Sequence, residues 1–306
     1  MIFTLTMNPS LDRYLYVDDL ILDDTIRVKK VEEYAAGKGI DVSRVIREMG
    51  GTSVAICPLG GDNGIKIEFL LDNERVLYSA VRIKKETRMN IIVQSLKGQY
   101  RMSLPGASLT RFEYELIMDM IKAVPRSGDT LIASGSLPEG LLPSAYFEIV
   151  KLCKDMGLRV YVDTDSENLK EAVKASPFGI KPNIYELSRL IGKDLKKDEV
   201  GEAVKEISEK YGITDVLVTL GKDGAIAYVD KKLYKMEPIE VEVKSSVGAG
   251  DSFLAGFVHK RDNSIEDALK LAMACGSASV MNEGTTLCKK KDVKKLLKEV
   301  VIERIS

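Results

Sequence analysis

The chain has 306 residues, with 45 Lys+Arg against 46 Asp+Glu for a formal net charge of −1, and 45% hydrophobic and 30% charged side chains. Those proportions exclude an intrinsically disordered chain and a dedicated nucleic-acid or anionic-membrane binder, and no apolar run approaches the roughly 18 residues of a membrane helix. A single histidine, His259, excludes every multi-histidine metal centre, and Cys57, Cys153, Cys275 and Cys288, without ligand spacing, read as reduced, buried thiols of a cytoplasmic protein.

The length suits one large α/β domain or two modest ones. Ile2–Met7 reads as a first strand, since no basic segment precedes it and Asn8-Pro9 ends it at once. Arg13–Val17 and Ile26–Val31 alternate apolar and polar residues at period two. A helix is predicted over Gly39–Met49, closed by Gly50-Gly51, and a strand over Ser53–Leu59. Met89–Ser95 and Gln99–Leu104 again alternate and are joined at Leu96-Lys97-Gly98 like a hairpin. Strands follow at Thr130–Ala133, Arg159–Val162, Gly179–Lys181, Val216–Leu220 and Ala225–Val229, with helices at Pro143–Met156 and Ile184–Ile191. Gly250–His259, Ile265–Met281 and Val293–Val301 make the last third almost wholly helical. This βα alternation predicts a mostly parallel sheet with helices on both faces. The period-two segments fall outside it and are assigned to a separate sheet of about four strands, which needs a cleft or a second subunit to cover its apolar face.

The chemistry concentrates in turns that join these elements. Ser246-Val247-Gly248-Ala249-Gly250-Asp251-Ser252 places small residues before a helix, where free N–H groups and the helix dipole bind an anion. Asp251 reads either as a dipole-compensating acid of the first turn or as a base for a hydroxyl that attacks a phosphoryl group. Neither a P-loop nor a Rossmann fingerprint accounts for the glycines. Ala36-Gly37-Lys38-Gly39-Ile40-Asp41 opens another helix, with Lys38 either a phosphate ligand or a solvated lysine. Asp12 follows the first strand, as a sugar ligand or a turn cap. Asn183 and Glu186 share a helical face, suited to a water-mediated Mg²⁺ site or to a capping box. Thr219-Leu220-Gly221-Lys222-Asp223-Gly224 fits nucleotide phosphates or a plain hairpin. Arg88, opening an extra strand, reads as a bidentate phosphate ligand or a surface cation. Ser134-Gly135-Ser136-Leu137-Pro138 ends a further strand.

Taken together, Thr6–Asp12, Gly37-Lys38-Gly39-Ile40, Thr87-Arg88-Met89-Asn90, Ser134–Pro138, Lys181-Pro182-Asn183, Thr219-Leu220-Gly221 and Val247–Ser252 resemble the ribokinase/PfkB carbohydrate kinases, specifically the phosphofructokinase branch, over essentially the whole chain. The resemblance implies one three-layer α/β/α domain over residues 1–306, with a discontinuous β lid from about 12–35 and 86–105, ATP and Mg²⁺ as cofactors, and a homodimer formed through the lids. It implies Asp251 as general base, with Gly248, Ala249 and Gly250 forming the anion hole. Asp12, Gly37, Lys38, Gly39, Asp41, Arg88, Asn90 and Ser136 would surround the sugar phosphate. Lys181, Asn183, Glu186, Thr219, Gly221, Gly224, Cys275 and Ser279 would line the nucleotide side, with Asn183 and Glu186 on the metal through water. Tyr100–Ala107 and Met281–Thr285 resemble the 6-phosphofructokinases. Lys38 is more like 1-phosphofructokinases and tagatose-6-phosphate kinases, and a non-catalytic sugar-phosphate sensor is the reading from another class. Asp41 stands where the family usually has Asn, and Thr25 where some members carry a basic lid residue.

Overall fold

The computed structural model describes residues 1–305. Its larger sheet has ten strands: β1 (Ile2–Thr6), β4 (Ser53–Leu59), β5 (Leu77–Arg82), β8 (Thr130–Ser134), β9 (Arg159–Asp163), β10 (Gly179–Ile180), β11 (Asp215–Thr219), β12 (Ala225–Val229), β13 (Lys232–Met236) and β14 (Ile302–Arg304). Their order is β14-β13-β12-β11-β10-β9-β8-β1-β4-β5. From β5 to β11 every neighbouring pair is parallel, whereas β12, β13 and β14 add on antiparallel.

Parallel strands need crossover connections, and these supply the helices α1 (Lys38–Glu48), α2 (Gly61–Asn73), α3 (Arg111–Ala123), α4 (Ser144–Asp155), α5 (Ser166–Lys174), α6 (Ile184–Ile191) and α7 (Val200–Tyr211). The chain ends with α8 (Ala249–Lys260), α9 (Ile265–Val280) and α10 (Lys290–Leu296). Alternation along the central strands feeds two cores. Leu131 and Ala133 of β8 face one, shared with α3 to α7, while Ile132 faces the other, shared with α1, α8 and α9. Because both faces are covered, these strands read as near-continuous apolar runs rather than alternating ones.

The smaller sheet consists of β2 (Ser10–Tyr16), β3 (Lys30–Ala36), β6 (Arg88–Ser95) and β7 (Gly98–Met102), ordered β3-β2-β6-β7. Tyr14 of β2 hydroxyl-bonds Thr285 at 3.0 Å, which fixes the root of this sheet against the loop after α9. Two sequence expectations shift. The strand expected at Ile26–Val31 lies at Lys30–Ala36, because pairing of Ser10 with Ala36 through Tyr16 with Lys30 sets the register, and Val28 is left exposed. The helix expected at Val293–Val301 ends at Leu296, and the chain then adds β14 beside β13. The segments of β5, β13, α2, α3, α5 and α7 were not singled out from the sequence, although α3 carries a full Thr110/Glu113 capping box.

Candidate active site

The carboxyl ends of β1, β8, β9 and β11 meet the N-termini of α1, α6 and α8, where open parallel sheets form their ligand crevice. Two glycines let α1 approach β1. A Cβ on Gly37 (φ +130°) would sit 2.6 Å from Thr6 Cγ2, and one on Gly39 would sit 2.6 Å from Thr6 Oγ1. The Thr6 hydroxyl instead accepts the Ile40 N–H at 2.9 Å, so the helix start is pinned to the strand end.

That fixed start aims Lys38 at β9. Its Nζ lies 2.7 Å from Asp163 Oδ1, and Lys181 Nζ lies 3.2 Å from Asp163 Oδ2. Burial opposes ionisation of the Asp163 carboxyl, but Lys181 and Lys38 overcome it and hold the group below the usual carboxylate range. Burial likewise opposes the Lys38 charge, which Asp163 and Asp251 outweigh. The result is a cation–carboxylate–cation triad in which Asp163 and Lys181 are buried and the Lys38 side chain is 35% exposed. Asp163 was not read from the sequence. Its role depends on two lysines more than one hundred residues apart, and the only local signal is an Asp ending a strand.

Asp251 stands beside this triad. Gly248 enters α8 in the left-handed region (φ 71°), and the first intrahelical bond runs from Ser252 N to Gly248 O. The N–H groups of Ala249, Gly250 and Asp251 therefore precede the helical ladder and are free for an anion. A Cβ on Gly250 would lie 3.1 Å from Lys181 Nζ, so this lysine adds its charge to the same turn. Asp251 is 8% exposed. Burial pushes its carboxyl up to about 6; Lys38 and Lys181 pull it down, and Asp163 and Glu186 push it up. A carboxylate in that range can take a proton near neutral pH.

Across the crevice, the root of the smaller sheet carries a second polar group. Ser10 Oγ and Asn90 Nδ2 both donate to Asp12 Oδ1 at 2.8 Å, and Asn90 also donates to Ser10 at 3.0 Å. Burial raises the Asp12 carboxyl, opposed by those bonds and by Arg88 and Arg101. Arg88 donates from Nη2 to Asn8 O at 3.1 Å, while its Nε is buried without a partner. Ser136, exposed to the crevice, accepts from Asn8 Nδ2 at 3.1 Å. Asp41 is buried and accepts from Arg44 at 3.2 Å; Arg44 also grips Glu74 and the carbonyls of Ala35 and Thr285. Burial raises the Asp41 carboxyl well above its usual range, with Arg44 opposing and Asp251 and Asp12 adding to it. Arg44 and Asn8 were not assigned site roles from the sequence, since both act on neighbours distant in the chain.

On the other flank, Asn183 and Glu186 form a capping box. Asn183 Oδ1 accepts the N–H groups of Tyr185 and Glu186 at 2.9 Å, and Glu186 Oε2 accepts that of Asn183 at 2.7 Å. The other Glu186 carboxylate oxygen has no protein hydrogen bond, and the Glu186 charge acts on both Lys38 and Asp251. Among the described residues no cluster of three His, Cys, Asp or Glu stands ready to hold a metal. Mg²⁺ keeps waters and substrate phosphates as ligands and needs only one or two carboxylates, so the Glu186 oxygen fits such an ion carried in on a nucleotide. Thr219 ends β11, and Gly221 (φ +63°) has open space where a Cβ would be. Gly224 is needed by its hairpin: a Cβ there would lie 2.1 Å from Met236 O. Ser279 donates to Val247 O at 3.4 Å, steadying the approach to Gly248. Cys275 of α9 is wholly buried with its thiol beside that of Cys288, so its side chain offers no surface to a ligand in this conformation.

Comparison with known proteins bears on the whole chain. Residues 4–292 match the model of the pfkB family carbohydrate kinases. The chain is 33% identical to the 1-phosphofructokinase of Borreliella burgdorferi, covering 100% of this chain and 99% of that one. It is also 33% identical to the ATP-dependent 6-phosphofructokinase isozyme 2 of Escherichia coli (96% and 97% covered) and to a tagatose-6-phosphate kinase of Staphylococcus epidermidis (93% and 94%). The crystal structure of phosphofructokinase-2 from Escherichia coli superposes with a TM-score of 0.92 at 32% identity, over 97% of this chain and 98% of that one. With its fold, its helix-terminal glycine turn and its buried aspartate alike, this chain belongs to the pfkB family of carbohydrate kinases, enzymes that transfer a phosphoryl group to a hydroxyl.

Proposed function

We propose that the enzyme is an ATP- and Mg²⁺-dependent 6-phosphofructokinase that converts fructose 6-phosphate to the 1,6-bisphosphate. The observation that carries the kinase chemistry is Asp251, a buried carboxylate pushed up to about 6 and set at the free N–H groups of the Gly248–Gly250 turn. Asp251 takes the proton of the attacking sugar hydroxyl. The N–H groups of Ala249, Gly250 and Asp251, with Lys181, hold the negative charge of the phosphoryl group in transfer. Mg²⁺, when bound, neutralises nucleotide phosphate charge; Glu186 is the residue that would hold it through water. Glycine-lined Thr219–Gly221 receives the nucleotide side, and Lys38 keeps Asp251 oriented and its anion stabilised.

The phosphorylated acceptor is supported by Arg88, whose guanidinium bonds the protein only through Nη2 and keeps its Nη1 donors unspent, and by the exposed Ser136 hydroxyl. Asp12, Asn90 and Asp41 offer the hydroxyl-binding groups between the two ends. Fructose 6-phosphate is preferred over fructose 1-phosphate and tagatose 6-phosphate on the Tyr100–Ala107 and Met281–Thr285 stretches. We assign the protein to a homodimer through its smaller sheets, because Val31, Tyr100, Met102 and Leu104 leave an apolar stripe exposed there.

An ADP-release assay over the three sugar phosphates and unphosphorylated fructose tests the assignment. The highest kcat/KM is expected for fructose 6-phosphate. A higher value for fructose 1-phosphate or tagatose 6-phosphate would reassign the acceptor, and binding without turnover of any would make the protein a sensor.

A further inference from the structure

Asn8 occupies the point where the chain leaves β1 of the large sheet for β2 of the smaller one, and nothing in the catalytic scheme uses it. Its backbone and side chain nevertheless hold both ends of the phosphate-binding group. The Asn8 carbonyl accepts from Arg88 Nη2 at 3.1 Å, and Arg88 opens β6 of the smaller sheet. The Asn8 amide donates to Ser136 Oγ at 3.1 Å and to Leu137 O at 3.4 Å, both in the loop after β8 of the large sheet. Leu137 O can only accept, so the amide nitrogen must face this loop and Oδ1 must face away. Gly106 closes over that oxygen, since a Cβ there would lie 2.2 Å from it. One residue thus brings a cation of one sheet and a hydroxyl of the other to a common locus.

The direction of these bonds has a chemical result. An amide N–H can only donate, so Ser136 Oγ serves as acceptor toward Asn8 and its own proton is left to point into the crevice. Arg88 spends one of its five N–H donors on the Asn8 carbonyl; its Nε is buried without a partner, and the protons of its Nη1 have no protein acceptor. Both groups therefore face a ligand as donors, the polarity that a phosphate, rich in acceptor oxygens and lacking donors when ionised, requires. From this we infer that Asn8 is a positioning residue that sets the specificity of the acceptor site for a phosphorylated sugar over its unphosphorylated counterpart. The inference rests on the reading of Arg88 and Ser136 as the phosphate-binding end of the kinase site.

Asn8→Asp is nearly isosteric and inverts the polarity. Its carboxylate accepts the Ser136 proton, withdrawing it from the crevice, and places a negative charge beside Arg88. Steady-state kinetics should show KM for fructose 6-phosphate rising by about tenfold or more, with KM for ATP within about twofold of wild type. The ratio of kcat/KM for fructose 6-phosphate to that for fructose should fall by a similar factor. Equal losses with both acceptors, or a matching rise in KM for ATP, would overturn the inference, because a merely structural defect has that pattern. A double-mutant cycle of Asn8→Ala with Ser136→Ala keeps the test open if Asn8→Asp folds poorly. Ser136 is exposed, and its loss should absorb most of the Asn8→Ala effect; independent, multiplicative losses would again overturn it. If wild type turns over a different phosphorylated ketohexose, only the acceptor assignment fails, and the same comparison runs with that sugar. If none is turned over, calorimetric affinities for fructose 6-phosphate and fructose give the same readout.

Discussion

Replacing Asp251 with Asn should make the enzyme inactive and more stable at once. The carboxyl is buried and its pKa is pushed from 3.8 to about 6, chiefly by burial, with Lys38 and Lys181 opposing. At 1.36 kcal/mol per pKa unit, the ionised form costs about 3 kcal/mol in the folded state relative to the unfolded chain. The sign follows from the raised value. Below about pH 4 both states hold the proton and the penalty is absent. Between about 4 and 6 the unfolded chain releases its proton first, so stability falls with rising pH, and above 6 the loss is complete. Asn, neutral throughout, escapes it. With unfolding entropy near 0.6 kcal/mol per kelvin for a chain of this length, about 3 kcal/mol corresponds to a gain of about 5 °C in Tm at pH 8. Paired thermal or denaturant melts of wild type and Asp251→Asn at pH 4.5 and pH 8 isolate this group from the others that titrate. Turnover should fall by about 10² or more while sugar-phosphate binding persists. A variant no more stable than wild type at pH 8, or a gain independent of pH, would refute the buried-base reading even if activity were lost.

Three further perturbations reach other parts of the site. Arg88→Ala should raise KM for phosphorylated acceptors by about tenfold or more and leave unphosphorylated sugars nearly unaffected; equal effects would refute its phosphate role. Asp163→Asn leaves Lys181, 4% exposed, without its carboxylate, and should cost about 3 kcal/mol in denaturant unfolding as well as most activity. Gly248→Ala puts a Cβ at φ 71° and 2.3 Å from Leu287 Cδ2; a loss of about 2 kcal/mol is expected, with a fall in kcat as the anion turn distorts. A protein as stable and active as wild type would show that the turn tolerates another conformation. For the proposed pairing of the smaller sheets, light scattering should give twice the 33.8 kDa chain mass, and Tyr100→Glu with Met102→Glu should return the monomer.

How much of this was legible in the sequence depends on how locally each feature is specified. The Gly248–Asp251 turn was readable because its conformation is written in adjacent residues: a left-handed glycine, two small residues and an acid in the first helical turn. The Asn183/Glu186 pair was readable as two alternatives, and the side-chain bonds realise the capping box while leaving one Glu186 oxygen without a protein hydrogen bond. Register was less legible. Ile26–Val31 alternates as well as a strand should, yet pairing with β2 selects Lys30–Ala36, a choice made by backbone partners rather than by the segment's own pattern. Val300 and Val301 extend the apolar spacing of α10, but docking of Ile302 beside Met236 on the sheet edge draws the chain into a strand. Asp163, Arg44 and Asn8 lay beyond reach for one reason. Each works by joining segments that become neighbours only when the parallel sheet assembles.

That same non-local wiring shows how, on the proposed function, a chain of net charge −1 would hold several phosphates. In the proposed reading Lys38 and Lys181 stand where the phosphoryl group moves, yet two neighbouring ammonium groups in a partly buried crevice would repel each other and lose solvation. Asp163 lies between them and is held ionised by both, so the unliganded site carries its cations already compensated. Asp251 takes the complementary course. With its pKa near 6, it is mostly ionised at neutral pH yet holds a proton more readily than an ordinary carboxylate, and Lys38 and Lys181 offset part of the cost of burying its charge. A phosphorylated ligand then meets donors whose desolvation was settled during folding. The site therefore requires no basic surplus over the whole molecule, only a few cations whose counter-charges come from the ends of different strands.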